Sequence, residues 1–210
     1  MKTELVFILD ASGSMYPLAS DTVGGFRAML EERKAKPDAD NVLVTTVLFN
    51  SGVYLLHDRI PLLRLDEMTE NDYRPSGCTA LADAIGSTVQ HVENIHRYAR
   101  PEDVPDKTIF VITTDGMENA SKFFTADDVR KAVKTKREKD GWEFLFLGAD
   151  LDAVETAEYY GIDRSRAARY VNDSSGTAKK FRAAAMAVDA MMSSVPLEKT
   201  LWKSVLEEKS

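Results

Sequence analysis

An unbroken apolar run near the amino terminus constrains the fold more than any other feature of the sequence. Residues 5–9, Leu-Val-Phe-Ile-Leu, contain no polar side chain. A strand covered on one face alternates between apolar and polar residues, whereas an unbroken run is typical of a strand covered on both faces in a parallel sheet. The run ends at Asp10, and Ser12 and Ser14 follow with Gly13 between them. The sequence therefore predicts a central strand that carries three oxygen-bearing side chains at its carboxyl end.

Strands and helices alternate along the rest of the chain. Further strands are predicted over residues 42–49, 53–60, 107–114, 142–147 and 168–171. A loop followed by a helix is predicted over 15–36, and helices over 66–70, 81–99, 125–139, 151–160 and 176–192. The Asn-Ser-Gly sequence at 50–52 is a hairpin signal, which makes the third strand antiparallel to the second. We expect an α/β fold with a three-layer, doubly wound, mostly parallel six-stranded sheet in the order 3-2-1-4-5-6, strand 3 at an antiparallel edge and helices on both faces.

Two more stretches place oxygen donors near the same edge of the sheet. Thr79 lies in a glycine-containing loop just before a helix, and Asp115 follows the apolar strand over 107–114. Ligands of such sheets bind beyond the carboxyl ends of the strands, where the strand order reverses. Oxygen donors of this kind suit Mg²⁺, Ca²⁺ or Mn²⁺ rather than zinc. The candidate ligands are Asp10, Ser12, Ser14, Thr79 and Asp115.

The order of these motifs resembles the von Willebrand factor type A family and its metal-ion-dependent adhesion site. The matching elements are Asp-x-Ser-x-Ser over 10–14, the loop residue Thr79 and Thr-Asp-Gly over 114–116. The resemblance covers roughly residues 2–194, so we predict one domain over 1–194. A tail over 195–210 is predicted to form a small amphipathic helix around Trp202.

The resemblance implies how such a site works. Ser12, Ser14 and Thr79 coordinate Mg²⁺ (or Mn²⁺ or Ca²⁺) directly in the ligand-bound form, while Asp10 and Asp115 act through waters or shift inward when the ligand leaves. An Asp or Glu of a protein partner supplies the sixth ligand. The implied function is a metal-dependent protein–protein interaction module, coupled in the family to a shift of the last helix. A stand-alone domain of this type resembles prokaryotic members that act as scaffolds inside larger assemblies.

Composition narrows the class of partner and the location. The net charge of −7 disfavours nonspecific attraction to nucleic acid or to an anionic membrane. No apolar stretch approaches the ~20 residues needed to span a bilayer. Residues 1–3 lead straight into a charged residue and a core strand, so no secretory signal is expected, and the single cysteine, Cys78, permits no internal disulfide. We therefore expect a cytoplasmic protein that binds neither nucleic acid nor membrane.

An enzyme is the main alternative, in particular a metal-dependent hydrolase or phosphatase that uses Asp10 as nucleophile. Haloacid dehalogenase-like phosphatases carry a second acid two residues after that nucleophile, but Ser12 stands there. The sequence shows no nucleophile elbow, no phosphate loop and no positioned general base. Nor does the turn after the first strand match Gly-x-Gly-x-x-Gly, the mark of dinucleotide binding. We therefore predict a protein that is not an enzyme.

Other polar residues near these motifs have structural as well as functional interpretations. Glu118 and Asn119 are expected either to contact a partner or to lie in a solvated loop. Cys78 is expected to be a small packed side chain rather than a ligand. The three histidines are expected to lie at the surface or in packing contacts: His57, His91 and His96.

Overall fold

The apolar run at residues 5–9 forms the middle of the sheet, as predicted. In the computed structural model, which describes residues 1–208, it lies within β1 (Thr3–Asp10), whose eight residues are all buried. β1 pairs in parallel with β2 (Val42–Phe49) on one side and with β4 (Lys107–Thr114) on the other. A strand with two neighbours and two covered faces has no solvent-facing side, which explains why residues 5–9 are all apolar.

The order of the six strands in the described chain is β3-β2-β1-β4-β5-β6, so the predicted sheet order is confirmed. β3 (Val53–Pro61) is antiparallel to β2 and forms an edge, while β5 (Glu143–Gly148) and β6 (Ala167–Arg169) extend the sheet in parallel. The hairpin signal marks the turn, where the Asn50 amide donates to the Gly52 carbonyl at 2.9 Å.

Helices cover both faces of the sheet, as the alternating pattern predicts. They are α1 (Ala19–Lys34), α2 (Leu81–Tyr98), α3 (Ala126–Asp140), α4 (Ala153–Tyr159), α5 (Ser174–Met192) and α6 (Ser204–Glu207). Alternate residues of β1 face opposite sides: Leu5 and Phe7 share a core with α1 and α5, whereas Val6 and Ile8 share one with α2, α3 and α4. No helix in the described part of the chain is long and apolar enough to cross a membrane.

The helix predicted over 66–70 is wrong. The chain forms a single turn of 3-10 helix at Leu62–Arg64 and then runs as an irregular loop. The Asp72 carboxylate accepts hydrogen bonds from the Thr69 amide at 2.8 Å and the Thr69 hydroxyl at 2.6 Å. Such side-chain bonds to nearby backbone compete with helix formation, and they turn the chain here.

Residues 195–208 fold back onto α5. Leu197, Trp202 and Val205 belong to the same buried core as α1 and α5. The helix in this segment, α6, spans only four residues. The division between a domain and a tail at residue 194 stays a prediction. The last two residues of the predicted tail, 209 and 210, lie outside the described residues.

Candidate metal centre

Asp10 and Asp115 lie side by side because β1 and β4 are parallel neighbours and their carboxyl ends meet at the same edge of the sheet. Asp10 is 2% exposed, and both of its carboxylate oxygens accept hydrogen bonds. The Ser12 amide donates to Oδ1 at 2.7 Å, and the Thr114 hydroxyl donates to Oδ2 at 2.6 Å. The Asp115 amide reaches the same Oδ2 at 3.4 Å. Local donors therefore fix the orientation of Asp10.

The hydroxyls of Ser12 and Ser14 converge on the second carboxylate. Ser14 Oγ lies 2.8 Å and Ser12 Oγ 3.4 Å from Oδ1 of Asp115, and the two hydroxyl oxygens are 3.1 Å apart. The Asn172 amide nitrogen donates to the other oxygen, Oδ2, at 3.0 Å. Four of the five predicted ligands are thus connected by direct hydrogen bonds.

Thr79, the fifth predicted ligand, approaches from the loop before α2. Its amide donates to Asn119 Oδ1 at 2.8 Å, and its carbonyl accepts from the Asn119 amide at 3.0 Å. A Cβ added to Gly116 would lie 3.4 Å from Thr79 Oγ1, so this hydroxyl abuts the residue after Asp115. The hydroxyl makes no hydrogen bond within residues 1–208, and its oxygen is therefore available to a ligand.

The donor set fits a hard divalent cation. Two carboxylates and three hydroxyls meet at one edge of the sheet, and oxygen is what Mg²⁺, Mn²⁺ and Ca²⁺ prefer. No group of three or more His, Cys, Asp or Glu side chains that could hold a metal ion occurs in residues 1–208, and the predicted site contains only two such residues, Asp10 and Asp115, beside three hydroxyls. Burial raises the pKa of Asp10 and outweighs the hydrogen bonds from Thr114 and Ser12. The buried carboxylate therefore lacks full charge compensation, which a bound cation would provide.

Glu118 and Asp83 connect the loop after β4 to the start of α2 through hydrogen bonds. The Glu118 carboxylate accepts from the Ala82 amide at 2.8 Å and from the amide and hydroxyl of Ser121. Asp83 accepts from the three backbone amides of residues 122–124. Burial alone would raise the pKa of Glu118, but these hydrogen bonds outweigh it and lower the pKa. Glu118 therefore belongs to the framework of the site, and so does Asn119 through its two bonds to Thr79.

Three large buried side chains beneath the site were not identified from the sequence. The Tyr73 hydroxyl donates to the Asp10 carbonyl, and the Tyr170 hydroxyl donates to the Thr114 carbonyl at 3.2 Å. Burial raises the pKa of both hydroxyls. The third side chain is Lys180 of α5, which is 1% exposed. The sequence offered one signal, because Lys180 occupies an apolar position in the helical repeat of α5.

The remaining candidates lie away from the five predicted ligands or point to solvent. Cys78 is exposed, so the expectation of a packed side chain is wrong. Its amide donates to the Ser51 hydroxyl at 2.9 Å, which holds the backbone and leaves the thiol free to face solvent. His91 pairs with Asp58.

His96 pairs with the buried Glu4 at the opposite end of β1 from Asp10. His57 lies on the edge strand β3. The hydrolase alternative requires Asp10 to act as a nucleophile. Both carboxylate oxygens of Asp10 accept hydrogen bonds, and no histidine of the described chain contacts it, so the surroundings of Asp10 give this alternative no support. That the protein is not an enzyme stays a prediction.

The sheet order, the antiparallel edge strand and the helices on both faces define a von Willebrand factor type A-like fold. No family model matches the sequence, and no curated protein matches it. Among solved structures, the von Willebrand factor domain of the type V pili tip protein Mfa5 from Porphyromonas gingivalis has 10% identity and a TM-score of 0.63. That match covers 90% of this chain and 96% of that one.

Two other solved structures illustrate the range of matches. A von Willebrand factor type A protein from Catenulispora acidiphila has 14% identity and a TM-score of 0.57 over 88% of this chain and 42% of that chain. The PilB minor pilin from Streptococcus sanguinis has 12% identity and a TM-score of 0.65 over 93% of this chain and 64% of that chain. The chain thus corresponds to part of these longer proteins, and at such identities the similarity shows the fold.

Proposed function

We propose that this protein is a metal-dependent protein–protein interaction module. Asp10, Ser12, Ser14, Thr79 and Asp115 hold Mg²⁺, or Mn²⁺ or Ca²⁺ in its place, and an Asp or Glu of a partner protein completes the coordination. The observation that carries the proposal is the convergence of the Ser12 and Ser14 hydroxyls on Asp115, beside the buried Asp10. The type A-like fold and the pilus proteins among its neighbours support an interaction role.

The charge of the donor set favours an anionic partner. Only two of the five side chains are anionic, and the three hydroxyls are neutral. When bound, the cation would supply an open position that is strongly attractive to a carboxylate, because few charged protein ligands neutralise it. Hydrogen bonds from Thr114, Ser12 and Asn172 hold the two protein carboxylates in place, so they need little reorganisation when a ligand arrives.

Exposed apolar side chains lie at the same edge of the sheet as the site and suggest what flanks the partner's acidic residue. Tyr16, Met117, Leu151 and Val171 follow four neighbouring strands of the sheet, and each is more than half exposed. Exposed apolar side chains grouped at one edge are typical of protein interaction surfaces. We therefore propose that the partner presents an Asp or Glu between apolar residues. Absence of nucleic-acid and membrane binding and a cytoplasmic location remain predictions.

Metal binding is tested by thermal unfolding and calorimetry with Mg²⁺ and Mn²⁺. A ligand that binds only the folded state stabilises it by ~2.7 kcal/mol at one hundred times its dissociation constant. We expect this stabilisation in wild type and in Asp152→Asn, an exposed carboxylate after β5 that serves as control. Ser14→Ala and Asp115→Asn should lose most of it. Equal metal stabilisation in Asp115→Asn and wild type, or none in wild type, would contradict the proposal.

Carboxylate recognition is tested with Mn²⁺ and acetate. A carboxylate that enters the open position displaces a water, so the water-proton relaxation enhancement of the Mn²⁺ complex should fall as acetate is added. Acetamide has the same shape without the charge and should leave the enhancement unchanged. Equal effects of the two compounds, or none from acetate, would show that the site does not select an anionic ligand.

A further inference from the structure

Lys180 is a buried cation whose role the metal site itself does not explain. It lies on α5 among buried residues, and it is 1% exposed. No ion pair or hydrogen bond joins its ammonium group to another described residue. Burial lowers the pKa of Lys180 to about 8, so the group remains mostly protonated at pH 7. A buried charge without a direct partner is unfavourable unless its surroundings compensate it.

Aromatic rings supply part of that compensation. Lys180 Nζ lies 4.7 Å from the centroid of the Tyr170 ring and 4.8 Å from that of Phe181. Both distances are within the range of cation–π attraction. One turn earlier on α5, the Thr177 hydroxyl is buried and has no hydrogen-bond partner in the described chain. The interior around Lys180 therefore contains a buried hydroxyl that no described residue satisfies.

The two predicted metal-ligand carboxylates compensate the Lys180 charge further but incompletely, because burial still lowers the pKa of Lys180 to about 8. Tyr170, whose ring contacts the ammonium group, donates its hydroxyl to the carbonyl of Thr114, the residue before Asp115. This contact places Lys180 behind the strand end that carries Asp115. Asp115 and Asp10 are the charged groups that oppose the effect of burial on the lysine. They are also the two carboxylates that the metal would neutralise.

We propose that Lys180 is the built-in counter-cation of the two carboxylates, so that its charge competes with the metal for them. This inference rests on the proposed function, because it concerns the same site. In the metal-free protein the ammonium group offsets the repulsion between Asp10 and Asp115. When a divalent cation binds, the same charge opposes it and lowers its affinity. Because such coupling is reciprocal, metal occupancy also weakens the attraction that holds this part of α5 under the site.

The first test compares metal affinity in charge-neutral variants. Lys180→Met and Lys180→Gln remove the charge with different shapes, and Arg182→Met removes an exposed charge from the same helix. Calorimetric titration with Mg²⁺ and Mn²⁺ at pH 7 should give binding about tenfold tighter in both Lys180 variants. This factor is the order of magnitude expected when the repulsion between a partly buried ammonium group and the bound cation is removed. Arg182→Met should match wild type within about twofold, because water screens its charge. Unchanged or weaker affinity in both Lys180 variants would overturn the proposal.

The second test contains no metal and separates this inference from the proposed function. Thermal unfolding in chelator is compared for wild type, Asp115→Asn, Lys180→Met and the double variant. In the wild-type background, Asp115→Asn removes the repulsion between Asp115 and Asp10 but also removes the attraction between Asp115 and Lys180. In the Lys180→Met background, the same substitution removes only the repulsion. The melting temperature should therefore rise by about 2–4 °C more in the Lys180→Met background. Additive effects would overturn the counter-cation role, whereas absent metal binding in wild type would contradict the proposed function instead.

Discussion

At the scale of single residues, hydrogen bonds from neighbouring loops hold the candidate site in shape. Each carboxylate oxygen of Asp10 and Asp115 has a donor, and those donors come from the turn after β1, the end of β4 and the loop after β6. Loops are mobile unless their backbone groups are bonded, and here side chains provide the bonds. The positions of the predicted ligands therefore depend on residues that need not touch a metal.

Glu118 gives this framework a predictable response to acid. Its pKa is lowered in the folded protein by the hydrogen bonds it accepts, which outweigh burial. A group with a lowered folded pKa contributes stability above its unfolded pKa and loses it as the pH falls through the folded value. Wild type should therefore be more stable than Glu118→Gln at pH 7, and the difference should shrink below about pH 4.5, the ordinary value for glutamate.

The measurement is urea unfolding of the two proteins between pH 3 and 7, in chelator. Glu67→Gln, which neutralises an exposed glutamate in the loop after β3, is the control and should run parallel to wild type. A stability difference between wild type and Glu118→Gln that does not change with pH would show that the ionised form of Glu118 does not stabilise the loop.

At the scale of elements, α1 and α5 pack closely because Gly25 leaves room for Phe181. A Cβ added to Gly25 would lie 2.5 Å from Cδ2 of Phe181, whereas one added to Gly24 would meet nothing within 4 Å. Gly25→Ala should therefore destabilise the protein by about 1–3 kcal/mol through overpacking. Gly24→Ala should stabilise it by about 0.5–1 kcal/mol through helix propensity.

Chemical denaturation of the two glycine variants provides a matched comparison, because both add one methyl group to the same turn of α1. Opposite signs are expected. If both variants stabilise the protein, the two helices are not packed as closely as the structure shows.

The far end of α5 is anchored. Lys107 Nζ at the start of β4 donates to the carbonyls of Met191 and Met192 at 2.7 and 2.8 Å, and Arg33 pairs with Asp189. These bonds oppose sliding of α5 along the sheet. The helix shift implied by the family resemblance stays a prediction, and it would have to break these contacts or bend the helix near Lys180.

At the scale of the whole molecule, the segment after α5 is part of the main core. Trp202 is 1% exposed and packs in the same cluster as α1 and α5, whereas the preceding Leu201 is 71% exposed. Trp202→Ala should destabilise the protein by about 3–5 kcal/mol, because it removes a large buried side chain and leaves a cavity. Leu201→Ala should change stability by at most about 0.5 kcal/mol.

Equilibrium urea unfolding of these two adjacent variants tests whether the tail folds with the domain. A small effect of Trp202→Ala, similar to that of Leu201→Ala, would show that residues 195–208 pack only peripherally and that the domain ends near residue 194.

The sequence by itself determined the sheet and the edge at which the predicted ligands gather. Both depend on local patterns: the unbroken run at 5–9 requires two covered faces, and the Asn-Ser-Gly turn at 50–52 reverses the chain. Parallel strands that end in Asp10 and Asp115 bring those residues together once the sheet order is known. The resemblance to the type A family added Ser12, Ser14 and Thr79 as ligands, and the metal site remains a prediction.

The tertiary structure alone decided which side chains support that site. Tyr73 reaches the Asp10 carbonyl across 63 positions of sequence, and Asp83 reaches the amides of residues 122–124 across about 40. Such contacts leave no periodic signal, because they depend on how loops from separate elements pack rather than on a local repeat. The same holds for Trp202 and Lys180, whose burial is set by where α5 and the tail cover the sheet.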